Sequence, residues 1–348
     1  MLRNADLAEA LFRLADSYPA GDMKLAFVRA AYAILDEPRE LAKTRRLPAG
    51  IPFEVLPTVT FLTRCAGEDA LAAAVARLAG PLRGQRGVAS RTGFFSAAEV
   101  ARAGVEPLAR QLRGAVHFHT RFSDGASPLE TMAAALRRRG YFWAVITDHT
   151  QGLSCVNGLD AQALRIQRRA IDRWNDRHGD ELELVPGVEA EILEDGSLDL
   201  PRSLRTGLVV VAGLHTGLTS TRDQTARLLR ALHEPGVWAL AHPKGRLFAR
   251  RPGIRANWEK VFATAASNGV LVELNGFPRR QDLDPGLAAL ARELGCRFVV
   301  GSDAHHPRHL VFDRWALVVA QAAGIPPEAI VNFRQLRDAV EVETLSRT

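Results

Sequence analysis

The chain has 348 residues, a formal net charge of +6 and an isoelectric point near 9.7. Hydrophobic residues make up 47% of it and charged residues 24%, which is the balance of an ordinary globular protein. No apolar run approaches the roughly 20 residues of a membrane span, so the composition excludes a membrane-spanning chain. The N-terminal residues mix charged and apolar types and lack the apolar stretch of a secretory signal, so we expect a cytoplasmic protein.

The basic residues are almost all arginine, because only four of the 45 are lysine. Arginine binds phosphate through two parallel hydrogen bonds, which favours an anionic partner, although the base composition of the coding DNA also produces such a bias. The three cysteines, Cys65, Cys155 and Cys296, are odd in number and far apart. This pattern favours buried reduced thiols over a disulfide framework or a cysteine metal site.

Residues 1–110 are predicted to be mostly helical. Leucines recur at helical spacing through residues 7–14 after Asn4, which is a favourable N-cap residue. Similar patterns predict a second helix over residues 22–36 and a third over residues 67–80, which ends at a glycine. The segment contains no histidine and no Asp-x-Asp pair.

From Gly114 onward, short apolar runs alternate with helical stretches. The predicted strands are 115–119, 142–147, 182–192, 207–215, 237–242, 270–275 and 297–303. The predicted helices are 128–139, 160–177, 221–233, 256–267 and 285–294. Continuous apolar strands that alternate with helices are typical of a parallel sheet covered on both faces. Seven such units favour a (βα) barrel over an open parallel sheet, which remains the alternative.

Ligand-type side chains follow these predicted strands, at the end where a (βα) barrel carries its active site. Six histidines and three acids share this placement: His117, His119, His149, His215, His242, His305, Asp124, Glu189 and Asp303. Singly, each is explained by a loop histidine, a turn-forming aspartate or an ion-paired glutamate. Together they predict a metal site, because imidazole and carboxylate ligands suit zinc, manganese and iron. Asp148, beside His149, is interpreted as a partner that orients a ligand imidazole.

The remaining histidines are His178, His233, His306 and His309. For these we favour a surface role or support of other site residues. His306 and His309 are the two that lie close in sequence to the predicted site.

The sequence resembles the PHP (polymerase and histidinol phosphatase) superfamily. Six segments match its successive motifs: HFHTRFSDG (117–125), ITDHT (146–150), GVEAEI (187–192), AGLHT (212–216), AHPKGR (241–246) and GSDAHHP (301–307). The resemblance covers about residues 112–335. It implies a distorted seven-stranded (βα) barrel that hydrolyses phosphoesters with three divalent metal ions, zinc, manganese or iron.

The resemblance also implies how the nine residues divide among the metals. One metal would take His117, His119, Glu189 and Asp303. A second would take Glu189, His215 and His242, with Glu189 bridging. The third would take Asp124, His149 and His305.

Within the superfamily, the linking segments resemble the PHP domain of bacterial family X DNA polymerases. These segments are NGLDAQ (157–162), EILEDGSLDLP (191–201), AHPKGRLFARR (241–251) and ELNGFPRRQDLD (273–284). Residues 1–110 would then be a helical region that weakly resembles the N-terminal domain of those polymerases, and residues 111–348 the phosphoesterase domain. A segment of roughly 110 residues is too short for that domain plus a polymerase palm, so we expect no polymerase activity.

Three positions depart from the family pattern. Phe277 and Arg279 replace an asparagine and another residue type, and Lys244 stands where a threonine is common. These differences concern the substrate rather than the metals. Lys244, Arg246 and Arg280 are candidates to bind the substrate phosphate.

The resemblance implies a phosphoesterase acting on nucleic acid ends or nucleotides, with single-stranded DNA as a partner and a 3′→5′ exonuclease as the specific expectation. A small-molecule phosphomonoesterase of the histidinol phosphatase type is the first alternative. A non-catalytic DNA-binding module stabilised by its metals is the second. No membrane partner is expected.

Overall fold

The computed structural model describes residues 2–18, 21–37, 39–44, 46–79, 93–153, 156–248 and 250–340. The chain divides into two compact units. We call residues 1–104 with 247–252 the helical unit, and residues 105–246 with 253–348 the barrel unit. Within the described ranges, no helix is both long enough and apolar enough to cross a membrane.

The helical unit consists of short helices packed around a hydrophobic core. Its helices are α1 (Asn4–Ser17), α2 (Asp22–Leu35), α3 (Leu41–Thr44), α4 (Leu56–Leu62), α5 (Glu68–Ala79) and α6 (Ala97–Arg102). The leucines that predicted the first helix are buried in this core. Phe248, from the segment 247–252, is fully buried there too, with its ring 5.8 Å from Phe12 and 5.1 Å from Phe94.

The structure corrects the predicted start of the first helix. Asn4 is its first residue rather than its cap, and Arg3 occupies the N-cap position. The Asn4 side chain is buried and donates to the carbonyl oxygens of Glu37 and Arg39, while its own oxygen accepts from the backbone N–H of Leu41. Asn4 therefore ties α1 to the connection between α2 and α3 instead of capping α1.

Two other expectations concern residues that lie outside the described ranges. Helix α5 is described as far as Ala79, so the predicted glycine end at Gly80 lies beyond it. Cys155 also lies outside the described residues. Of the other two cysteines, Cys296 is buried and Cys65 is half-buried, and both are free thiols.

The barrel unit is one parallel sheet of eight strands. The strands are β1 (Gly114–Phe118), β2 (Trp143–Val145), β3 (Glu183–Val185), β4 (Gly187–Glu191), β5 (Val209–Gly213), β6 (Val237–Leu240), β7 (Leu271–Asn275) and β8 (Phe298–Ala304). Their order in the sheet is β3-β2-β1-β8-β7-β6-β5-β4, and every pairing is parallel. Valines from these strands form the interior core, as expected for strands buried on both faces.

The predicted number of seven strands is wrong because the third predicted strand is divided at Pro186. Proline has no N–H to donate to a sheet, so the strand breaks there. Its first half, β3, pairs with β2, and its second half, β4, pairs with β5. The two ends of the sheet are therefore consecutive in the chain, and the Glu189 N–H donates to the Asp148 carbonyl oxygen across the gap. The result is a nearly closed barrel rather than an open sheet.

One short helix, α7 (Glu106–Ala109), precedes β1, and helices follow most of the strands. The latter are α8 (Leu129–Arg138), α9 (Ala161–His178), α10 (Thr225–Leu232), α11 (Trp258–Ser267), α12 (Pro285–Glu293), α13 (Asp313–Ala322) and α14 (Leu336–Ala339). Those predicted from the sequence lie within a few residues of their expected bounds. Because all strands run in one direction, their carboxyl ends meet at one mouth of the barrel.

Candidate metal centre

Glu189, on β4, lies at the centre of a cluster of histidines. Its side chain is 1% exposed. Oε1 lies 2.7 Å from His242 Nε2 and 3.2 Å from His215 Nε2. Oε2 lies 3.1 Å from His117 Nε2, 3.3 Å from His149 Nδ1 and 3.6 Å from His119 Nε2. Five imidazoles from four different strand ends thus converge on one carboxylate.

Two aspartates extend this cluster. Asp303 Oδ1, on β8, lies 3.3 Å from His119 Nε2 and 3.7 Å from His305 Nδ1. Asp124 Oδ2, in the turn after β1, lies 3.3 Å from His305 Nε2 and 3.8 Å from His149 Nε2. All nine residues that the sequence predicts as ligands are therefore brought to one mouth of the barrel.

The backbone at three of these positions is strained. His117, His242 and Asp303 have positive φ angles of 58°, 25° and 50°. Residues with side chains pay a steric cost in this region, and such residues cluster at functional sites. The register of β1 against β8 also shifts between Val116 and Phe118, around His117. A bulge of this kind re-aims a side chain, here towards Glu189.

The donor atoms fit divalent metal ions. Several of the buried imidazole nitrogens have no hydrogen-bond partner among the described residues: both of His119, Nε2 of His215 and Nδ1 of His242. Burial lowers the pKa of His149 to about 4 and that of His242 to about 4, with Arg280 adding to the effect at His242. At His215 and His305 the neighbouring carboxylates outweigh burial and raise the pKa to about 9. Neutral imidazole is the form that binds a metal. Unpartnered buried nitrogens beside carboxylates are a costly arrangement that a cation would relieve.

The carboxylates are held in the ionised form that metal binding requires. Burial acts to raise the pKa of Glu189, but the imidazoles around it hold that pKa well below its ordinary value. The same opposition holds for Asp303, whose pKa is lowered because Arg280 and the neighbouring histidines outweigh its burial.

The donors fall into four overlapping groups with all ligand atoms within 4.8 Å of one another. The groups are His119, Asp124, His149 and His305; His117, His119 and Glu189; His117, His242 and Asp303; and His149, Glu189 and His215. They use the nine predicted residues but share them differently from the three predicted sets. His119 joins the group of Asp124, and His149 joins that of Glu189 and His215.

Of the three cationic residues predicted at the mouth, Arg280 contacts the predicted ligand Asp303. Its Nε lies 3.0 Å from Asp303 Oδ2, and its Nη1 is buried without a hydrogen-bond partner. Lys244 Nζ and Arg246 Nη1 lie 3.4 Å and 3.5 Å from Asp284 Oδ2 instead. Arg246 Nε also donates to the Arg280 carbonyl oxygen, so it supports the turn that carries Arg280.

Asp148 has a different task from the predicted one. Its carboxylate accepts hydrogen bonds from the backbone N–H and hydroxyl of Thr120, from Ser123 Oγ and from Gln167 Nε2. Asp148 therefore fixes the turn after β1 that carries Asp124, rather than orienting an imidazole.

Two glutamates perform the orienting task, and the sequence reasoning missed both. Glu273, on β7, lies with Oε1 2.6 Å from His117 Nδ1 and accepts the backbone N–H of His242 with Oε2. Glu191, on β4, lies with Oε2 2.6 Å from His215 Nδ1. A carboxylate that accepts the second N–H of a ligand imidazole fixes its tautomer and orientation. A signal was present, because each is a buried acid in a strand made mostly of apolar residues.

Comparison with known proteins decides the family. The chain is 33% identical over 230 residues to the DNA polymerase/3′-5′ exonuclease PolX of Bacillus subtilis, covering 66% of this chain and 40% of PolX. It is 31% identical over 201 residues to a probable phosphatase of Aliivibrio fischeri, covering 54% of this chain and 76% of that protein. The chain belongs to the PHP superfamily. No family model matches it.

The PHP relatives are matched over different shares of their length. The chain spans 40% of PolX and 64% of a probable phosphatase of Thermoanaerobacter, so it covers about half the length of these curated relatives. A solved structure of histidinol phosphate phosphatase from Lactococcus lactis aligns with a TM-score of 0.47 and 14% identity. That alignment covers 62% of this chain and 94% of the other.

Proposed function

We propose that the protein is a metal-dependent phosphoester hydrolase that acts on nucleic acid ends or nucleotides. One observation supports this above all: nine imidazole and carboxylate side chains cluster at one mouth of the barrel with Glu189 at their centre, and the guanidinium of Arg280 lies beside them. The names of the relatives, phosphatase and 3′-5′ exonuclease, agree with hydrolysis of phosphoesters. The match to PolX and the excess of arginine favour a nucleic acid substrate.

The nine ligands would hold up to three divalent ions, zinc, manganese or iron. Such ions, when bound, polarise the phosphoryl group and lower the pKa of a bound water molecule to near neutrality. The Oε1 atom of Glu189 lies beside His215 and His242, and its Oε2 atom lies beside His117 and His149. This carboxylate is therefore placed to be shared by two metal ions. Glu273 and Glu191 keep the imidazoles of His117 and His215 in the tautomer that presents Nε2 to the cluster.

Arg280 is the residue that we propose to bind the substrate phosphate. Its Nε is engaged by Asp303, so the guanidinium is held in one place while Nη1 remains available to an oxygen atom of the substrate. A fixed cation of this kind stabilises the charge that builds up on the phosphoryl oxygens during displacement. Lys244 and Arg246, which pair with Asp284, would act by holding this loop.

The proposal is tested by assaying hydrolysis by the purified protein. The substrates are labelled single-stranded DNA and a panel of small phosphomonoesters, each with Mn²⁺ or Zn²⁺. We expect shortening of the DNA from its 3′ end, lost in Asp303→Asn while the circular dichroism spectrum is kept. Hydrolysis of neither class with any of these metals would refute the proposal and would favour the metal-stabilised binding module.

A small-molecule phosphomonoesterase is the second candidate. It is favoured by the relatives named probable phosphatase, one of which is covered over 76% of its length. Turnover of a short phosphate ester that excess DNA does not inhibit, with no cleavage of DNA, would select it.

A further inference from the structure

Four aromatic rings pack together on two loops at the mouth of the barrel. We call Phe277, His306, His309 and Phe312 the aromatic cluster. The His309 and Phe312 rings are stacked with centroids 5.1 Å apart, and Phe277 meets both edge-on at 6.2 Å and 5.6 Å. His306 lies 5.9 Å from His309. Trp315 packs edge-on against Phe312 from behind, at 5.6 Å.

Both loops also carry residues of the metal centre. The turn after β7 begins at Phe277, whose carbonyl oxygen accepts the N–H of Arg280, and Arg280 in turn lies on Asp303. The other loop begins at His305, which lies 3.3 Å from Asp124, and continues through His306 into the 3₁₀ turn Pro307–Phe312. The aromatic cluster therefore lies on the same two segments that carry Arg280 and His305.

The exposure of these rings separates them from the core aromatics. Phe118 and Phe298, on the barrel strands, are 1% and 0% exposed. All four members of the aromatic cluster, in contrast, are only partly buried. Burial lowers the pKa of His309 to about 4, with help from the positive charges of His305 and Arg308, so this ring is neutral near pH 7.

Partly exposed rings beside cationic residues suit one chemical class of ligand. The aromatic rings offer a flat apolar surface for a planar group, and Arg279 and Arg308 lie close enough to influence the charge of His309. Proteins that bind single-stranded nucleic acid combine such rings, on which bases stack, with cationic side chains that follow the phosphates.

We propose that the aromatic cluster stacks the base of the nucleotide whose phosphate is bound at the metal centre, with Phe277 as the main contact. The proposal rests on the proposed function and narrows its substrate to phosphoesters that carry a nucleobase. Phe277 is then a specificity-determining residue, because it contacts the substrate away from the atoms that react.

The test compares two single-stranded oligonucleotides that differ only at the 3′-terminal nucleotide, which carries either a base or an abasic sugar. Stacking on an aromatic ring gives about a tenfold preference for the substrate with the base. We expect Phe277→Leu to lower kcat/KM for the base-bearing oligonucleotide about tenfold and to leave the abasic one unchanged. Phe277→Tyr, which keeps the ring, is expected to retain the preference.

The matched control is Phe142→Leu. Phe142 is 55% exposed and precedes β2, at the opposite end of the barrel strands, and this variant should behave as wild type on both oligonucleotides. Wild-type protein that cleaves both oligonucleotides equally well would overturn the stacking proposal and leave the proposed function standing. Equal losses on both substrates in Phe277→Leu would also overturn it, because they indicate a structural role. Cleavage of neither oligonucleotide by wild type would refute the proposed function itself.

Discussion

Buried acids in the helical unit and in the barrel unit are satisfied in different ways. In the helical unit, Glu37 pairs with Arg39 Nε at 2.6 Å and Asp6 pairs with Arg3 Nη2 at 2.8 Å, so each acid finds its partner within three residues. In the barrel unit, Glu189 faces imidazoles that lie between 26 and 72 residues away in the chain. Local pairs stabilise a turn or a helix start, whereas the distant set assembles only in the folded barrel.

The two arrangements also differ in what they leave unsatisfied. Among the described residues, every group of side chains able to hold a metal ion lies in the barrel unit. In the barrel unit, both ring nitrogens of His119, Nε2 of His215 and Nδ1 of His242 are buried without hydrogen-bond partners among the described residues, a state that is costly without a cation. This contrast places the candidate metal ligands in the barrel unit, and their role can be tested by matched substitutions in the two units.

The largest expected effect comes from Glu189→Gln, compared with Glu37→Gln. Removing the charge that faces five imidazoles should lower metal content and reduce kcat/KM by well over about 100-fold, beyond the range seen for partners of metal ligands. Glu37→Gln should leave both unchanged and lower stability only slightly, because its partner Arg39 is exposed and the ion pair is screened by solvent. Metal analysis, turnover and urea unfolding measure the three quantities. Wild-type metal content and turnover in Glu189→Gln would contradict the account.

A second effect is expected at Arg280. Arg280→Ala should reduce kcat/KM on a phosphoester by about 10²-fold, because a fixed donor to the phosphoryl oxygens is lost. The metal content should remain that of wild type. Binding of single-stranded DNA should also depend less steeply on salt concentration, since one phosphate contact is removed.

Arg230→Ala is the matched control for Arg280. Arg230 pairs with Asp195 at 3.4 Å on the surface of the barrel unit, with its side chain 56% exposed. The Arg230→Ala substitution should have no effect on turnover. An unchanged rate and salt dependence in Arg280→Ala would remove Arg280 from the site.

A third effect concerns the orienting glutamate Glu273. Glu273→Gln should weaken metal affinity about 10- to 100-fold, because the His117 imidazole loses its ionised partner. Competition with a chelator of known affinity measures this change. Glu183→Gln, at an exposed acid on β3, is the control and should keep wild-type affinity. Equal affinities in the two variants would show that Glu273 does not act on the metals.

The smallest effect is expected from Gly301→Ala, on β8. A Cβ atom there would lie 1.8 Å from Glu273 Oε1, so the carboxylate must move away from His117. Such overpacking costs about 1–3 kcal/mol and should also weaken metal binding. Gly67→Ala, where a Cβ atom meets nothing within 4 Å, should cost under about 1 kcal/mol. Urea unfolding of both variants checks the difference, and equal midpoints would contradict it.

The sequence predicted which residues cluster at the barrel mouth, because strand ends and ligand residue types can both be read from a single chain; their role as metal ligands stays a prediction. Apolar runs located the strands to within a few residues, and a parallel barrel brings their carboxyl ends together. His117, Glu189 and Asp303 were therefore identified without any knowledge of their distances. The sequence does not show which donors group together around each metal. That grouping depends on where each side chain points, which is set by local backbone angles such as the positive φ of His117.

The features that the sequence did not predict depend on residues that are far apart in the chain or on local breaks in a strand. Glu273 lies 156 residues from His117, and no local pattern links them. Pro186 was read as part of one strand, although its missing N–H divides that strand and closes the barrel. Phe248 lies in a segment that resembles the polymerase-type linkers, yet it is buried in the core of the helical unit. The functional division of the chain at residue 110 stays a prediction.

Metal content measured together with activity tests the central claim most directly. Protein purified without chelators should contain between two and three divalent ions per chain, lose phosphoester hydrolysis when they are removed by a chelator, and regain it when Mn²⁺ or Zn²⁺ is added. Its fold should persist throughout, as followed by circular dichroism. Hydrolysis at the full rate by protein that holds less than one ion per chain would contradict the account.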